Sequence, residues 1–76
     1  RCDFLIYPNP AKEELTIISS TANNLISIYN LQGILVKQLY VSDAESKINI
    51  ADLVIGMYVI EIKNKGNRSF QKFIIK

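Results

Sequence analysis

The chain has 76 residues, 49% of them hydrophobic, with a formal net charge of +2, one cysteine and no histidine. That length holds one domain at most, with a small core and marginal stability. The weak basic excess argues against a nucleic-acid binder, and the missing histidine removes the commonest general base and the usual activator of a nucleophile.

The apolar residues are mainly isoleucine, leucine and valine, which favour strands, and they recur at period two. A first strand is predicted over Phe4–Tyr7. Pro8-Asn9-Pro10 then ends it, because each proline fixes φ near about −65°, lacks an N–H and pushes the preceding residue toward extended backbone. A second strand is predicted over Leu15–Ser19, and a polar loop leads to a third over Leu25–Tyr29. Asn30-Leu31-Gln32-Gly33 reads as a short hairpin connection in which Gly33 suits a positive φ. The fourth strand is Ile34–Val41. Ser42-Asp43-Ala44-Glu45-Ser46 reads as a polar turn before the fifth, Lys47–Ile50. Ala51-Asp52-Leu53 has room for one helical turn. In Met57–Lys63, Tyr58, Ile60 and Ile62 alternate with Val59, Glu61 and Lys63, which puts the first set in a core and the second in water. Asn64-Lys65-Gly66-Asn67 turns the chain into the last strand, Ser69–Ile75.

Seven short strands with turn chemistry between them predict an all-β, antiparallel β-sandwich, with a closed barrel as the alternative. Ile28, Ile48, Ile50, Leu53, Tyr58, Ile60 and Ile62 are its expected buried residues. Leu53-x-x-Gly56-x-Tyr58 resembles the tyrosine corner of immunoglobulin-like sandwiches. There the phenol bonds back to the backbone at the crossover between sheets. A half-buried strand aromatic is the plainer reading of Tyr58, and both readings are structural.

Little in the chain suggests chemistry. Glu13 and Glu14 are adjacent, so in a strand their side chains diverge. Asp43, Glu45 and Asp52 fall in expected turns, where acids bond to backbone or water, and Asp43-Ala44-Glu45-Ser46 has too few oxygens for a calcium loop. Phosphate-loop and metal-ligand motifs are missing, so no cofactor, metal or catalytic residue is expected. Cys2 stands alone and is expected to be buried or to pair upstream. Asn67-Arg68-Ser69 fits the glycosylation sequon, a tripeptide common by chance. Tyr7, Tyr29 and Tyr58 sit where aromatics with polar tips cover a core, and tryptophan, the favoured sugar platform, is absent. No stretch approaches the ~18 apolar residues of a membrane span. From Lys63 to Lys76 there are five basic residues and no acidic one. Such charges protect an exposed sheet edge, or serve as a surface that a partner reads.

Four segments, in order, carry a family resemblance: Tyr7-Pro8-Asn9-Pro10-Ala11, Ile28-Tyr29-Asn30-Leu31-Gln32-Gly33, Leu53 to Tyr58, and Lys72-Phe73-Ile74-Ile75-Lys76. Together they resemble the C-terminal sorting domain, type A, of the bacterial type IX (Por) secretion system. The resemblance covers nearly the whole chain. Val54-Ile55 stands where related domains often have proline or a small residue, and Ile75 where they often have a second basic residue. The resemblance implies a seven-stranded, immunoglobulin-like sandwich spanning residues 1–76 at the end of a longer secreted protein of Bacteroidota. It implies a signal that directs an N-terminal cargo domain across the outer membrane through the secretion machinery. It further implies removal by a sortase-like peptidase, with cargo joined to an anionic lipopolysaccharide or released. The implied recognition signal is Lys72, Phe73, Ile74, Ile75 and Lys76. As parts of a last strand, these residues are expected to offer backbone edge groups and flanking positive charges to a partner by strand addition. Tyr7, Pro8, Asn9, Pro10, Gly33, Leu53, Gly56 and Tyr58 are the implied structural motif. The start at Arg1 and the stop at Lys76 read as a fragment cut from such a protein, with cleavage expected upstream of Arg1. An immunoglobulin- or fibronectin-like accessory module is the alternative that the residues alone leave open.

Overall fold

The computed structural model describes residues 3–76; the expectation for Cys2 lies outside them. Seven strands follow one another: β1 (Phe4–Tyr7), β2 (Glu14–Ser19), β3 (Asn24–Asn30), β4 (Leu35–Val41), β5 (Glu45–Asn49), β6 (Gly56–Asn64) and β7 (Asn67–Ile75). They form a three-stranded sheet in the order β1-β2-β5 and a four-stranded sheet in the order β4-β3-β6-β7. Every strand pair is antiparallel. The chain crosses between sheets after β2, after β4 and after β5. This is the antiparallel β-sandwich that the period-two pattern predicts, in the immunoglobulin-like form that the family resemblance implies.

The core is the inner face of both sheets. Leu15, Ile17 and Ile48 from one sheet meet Ile26, Ile28, Ile60, Ile62 and Phe73 from the other, all essentially inaccessible to solvent. Phe4, Leu39, Val41 and Leu53 pack at its margins. Tyr58 and Phe73, cross-strand partners, stack with ring centroids 5.8 Å apart. Burying a Leu, Ile or Phe side chain contributes roughly 1.5–3 kcal/mol, so this branched aliphatic layer is the main favourable term in so small a chain.

Several boundaries differ from expectation. Glu45 and Ser46 belong to β5 rather than to a turn, because they pair with Ile18 and Ile17 of β2. Ile50 lies just past β5 but stays buried, its amide bonded to Glu13 O at 2.8 Å. Ala51-Asp52-Leu53 forms an isolated turn closed by Leu53 N–H to Ile50 O at 3.1 Å. Glu61, expected in water, is buried on the outer face of its sheet. There Tyr29 Oη donates to its Oε1 at 3.0 Å and Arg68 Nε sits 3.1 Å from its Oε2. An isolated carboxylate is costly to bury, and these two partners offset that cost.

Polar side chains fix the loops. Asn30 Oδ1 accepts from Gln32 N at 2.9 Å and Ile34 N at 3.0 Å, with Gly33 beyond it at φ +82°. That φ is comfortable for glycine and costly for most other residues. Fully buried Asn24 bonds Thr21 in both directions, and Asn64 Nδ2 donates to Ala22 O at 2.8 Å, which ties the β2–β3 crossover to the end of β6.

Candidate recognition surface

The last strand and the proline segment form one unit. Ala11 is fully buried and makes a parallel bridge to Ile75. Ala11 N–H donates to Ile74 O at 2.8 Å, and Lys76 N–H donates to Ala11 O at 2.8 Å. Asn9 Oδ1 accepts the Ile74 amide at 3.1 Å. Pro8 and Pro10, preceded by cis peptide bonds, carry the chain from β1 in one sheet to this contact on the other. The outer edge of β7 is therefore covered at Ile74 and Lys76. Two motifs at opposite ends of the sequence are one structural feature.

The five residues of the implied recognition signal divide by parity. Phe73 and Ile75 point into the core, with 1% and 3% of their surface exposed. Lys72 and Lys76 are exposed and Ile74 is half-buried. What the surface presents here is two cations and one aliphatic side chain on a strand held by its neighbours.

The other implied motif residues lie at or beside turns and crossovers. Tyr58 Oη donates to Val54 O at 2.6 Å, four residues back, at the crossover into β6. That is the tyrosine-corner bond the sequence pattern suggests. Gly56 begins β6 at φ +149°, a conformation that residues with a Cβ rarely adopt. Leu53 packs beneath, against the core. Tyr7 remains about half exposed, beside Pro8 and Pro10 at the rim of an open depression of about 740 Å³.

The outer face of the four-stranded sheet carries what the sequence pattern does not reveal. Phe70 is 59% exposed and Tyr40 78%. Tyr29, Val59 and Phe70 line a shallow, largely apolar hollow of about 350 Å³ together with Asn30, Leu31 and Gly33. Among the described residues no group of three or more His, Cys, Asp or Glu is placed to hold a metal ion, and no helix is long and apolar enough to cross a membrane.

Comparison with known proteins agrees with this architecture. The model of the family described as "Secretion system C-terminal sorting domain" matches residues 5–76. A beta-agarase A of Zobellia galactanivorans is 34% identical over 65 residues, covering 83% of this chain and 12% of the agarase. An endo-acting ulvan lyase of Formosa agariphila is 29% identical over 75 residues, covering 96% of this chain and 14% of the lyase. The chain thus spans a small fraction of either relative. Among solved structures, PorZ, a bacterial surface component of the type-IX secretion system of Porphyromonas gingivalis, superposes with a TM-score of 0.82 at 23% identity. That likeness covers 96% of this chain and 11% of PorZ, and it shows a shared fold. With its family model matched over nearly its whole length and its four motifs in place, the chain belongs to the secretion system C-terminal sorting domains.

Proposed function

We propose that residues 1–76 act as a folded export address, read by the type IX machinery at the outer membrane, for a cargo domain that precedes them. The observation carrying this reading is the closure of Asn9 and Ala11 over Ile74 and Lys76, within a region matched to the sorting-domain family. The family's first and last motifs thereby become one surface, present only when the sandwich is folded. A folded address suits a machine that must accept unrelated cargoes, because its shape is independent of theirs. The chain is a label and not a catalyst. After translocation, a sortase-like peptidase removes the domain upstream of Arg1 and the cargo stays at the cell surface or is released.

Deleting Phe73–Lys76 from the full-length protein tests the address. The cargo is expected to fold and to accumulate in the periplasm, with immunoblotting to check that it is not simply degraded. Delivery of the undegraded truncated cargo at the normal level contradicts the reading. Mass spectrometry of surface cargo tests the removal step: its C-terminal peptide is expected to end before Arg1. Retention of residues 1–76 on surface cargo contradicts that step alone.

A further inference from the structure

β7 is an edge strand, with β6 on one side only. In an antiparallel ladder, alternate residues direct both N–H and C=O to the same side. Ile74 sends both toward Asn9 and Ala11, so Lys72, Phe70 and Arg68 send theirs to that same outer edge. Among the described residues these three have no backbone partner there. The covered end of β7 therefore adjoins an open stretch of three consecutive outward-facing residues.

The other edges are poorer templates. β1 has four residues and β5 five. β4 is interrupted by a register shift opposite Ile28 and Tyr29, which distorts an edge. β7 runs nine residues against β6 without irregularity. On its outer face Arg68, Phe70 and Lys72 follow one another, and Phe70 borders the apolar hollow with Tyr29 and Val59.

Charge selects the occupant. Glu61 is the one acidic residue in the four strands of this sheet, and Arg68 and Tyr29 already engage it. Lys63, Lys65 and Lys72 make no ion pair among the described residues. A second copy fits badly: antiparallel self-pairing centred on Phe70 sets Arg68 of each copy against Lys72 of the other, and like charges directly opposite destabilise a sheet.

We propose that the edge of β7 from Arg68 to Lys72 is a strand-addition site for an extended acidic segment of a protein partner, anchored by an apolar residue over Phe70. The proposal deepens the export reading by naming what the partner presents: acid, apolar and acid at alternate positions, opposite Arg68, Phe70 and Lys72. Main-chain bonds to the three residues give affinity and the alternate side chains give selectivity.

The test uses the purified chain and a synthetic peptide, acetyl-Thr-Asp-Thr-Val-Thr-Asp-Thr-amide, whose palindromic pattern fits either strand direction. With peptide at about ten times its dissociation constant, NMR-detected exchange of the Phe70 and Lys72 amides is expected to slow about tenfold. The same peptide with lysine replacing aspartate is expected to have no effect. Lys72→Pro removes one outward N–H that the fold does not use, as edge strands tolerate, and is expected to abolish the protection. Phe70→Glu, at an exposed side chain, is expected to abolish it too, and stands in should the proline variant fail to fold. Absence of protection, or equal protection by the lysine peptide, overturns the proposal. So does a dimer of the free chain that Lys72→Pro dissolves, since a second copy then occupies the edge. The measurement is independent of export, so its failure leaves the sorting reading standing.

Discussion

The main-chain amide of Ile74 donates to the side-chain oxygen of Asn9 at 3.1 Å, across 65 positions of sequence. Asn9 is held for this contact by the prolines on either side, and Ala11 completes it by donating to Ile74 O in the same strand and accepting from the amide of Lys76 just past it. Asn9→Ala is expected to cost about 1 kcal/mol, the usual net worth of one hydrogen bond. Hydrogen exchange is the sharper readout. The Ile74 amide is expected to exchange much faster in the variant, while the amides of Ile60 and Ile62 change only with global stability. Equal slowing or speeding at all sites contradicts a local latch.

Tyr58 pins the crossover into β6 through its bond to Val54 O. Tyr58→Phe keeps the ring against Phe73 and removes only that bond. Destabilisation of about 1 kcal/mol is expected, which for a domain of this size lowers the melting temperature by about 4–8 °C. A thermal melt matching the parent shows that the hydroxyl is no better bonded here than in water.

Gly56 tests strain without collision. A Cβ built there meets no atom within 4 Å, so space is not limiting, but φ is +149°. Gly56→Val is expected to cost roughly 1–3 kcal/mol from backbone conformation alone, read by urea denaturation. An unchanged midpoint places the bend in an ordinary conformation.

Acid sensitivity has one identified contributor. The Lys37 ammonium, hydrogen-bonded to Asp52, holds that carboxyl below its usual value of 3.8, helped by a backbone bond within Asp52 itself. A group whose folded pKa is depressed adds stability above its unfolded pKa and loses it as pH falls through the folded one. The advantage of the parent over Asp52→Asn is therefore expected at neutral pH and to vanish as the pH drops through and below 3.8. A melting-temperature difference that persists below that range contradicts the assignment. Asp52 is well exposed, so the effect is small.

What the sequence reveals of this fold follows from which interactions are local. Ile60 and Ile62 sit two apart on a strand, so their shared face is readable from spacing, as are the hairpin at Gly33 and the corner from Leu53 to Tyr58. The pairing of Asn9 with Ile74 is not local, and a lone asparagine between prolines does not say what its side chain reaches. Glu61 reads as solvent-facing because alternation assumes a wet outer face, whereas Tyr29, Phe70 and Arg68 cover it. Asn24 and Asn64 read as loop residues yet are buried: Asn24 bonds Thr21 in the adjoining loop, and Asn64 reaches from the end of β6 to Ala22 and Asn24, a contact that spacing does not show. Family resemblance and the basic bias from Lys63 to Lys76 mark out the last strand, but how much of its edge stays open depends on sheet order and on the Asn9–Ala11 contact, neither of which is local.

The most direct measurement of the central claim is surface delivery of an unrelated periplasmic protein carrying residues 1–76 behind a flexible linker, in a host possessing the type IX machinery. Protease accessibility on intact cells is expected to show the carrier at the surface, and the same carrier with Phe73–Lys76 deleted is expected to stay in the periplasm. A carrier that remains periplasmic with the intact domain, while native cargo is exported normally from the same cells, contradicts the claim that this domain is the address.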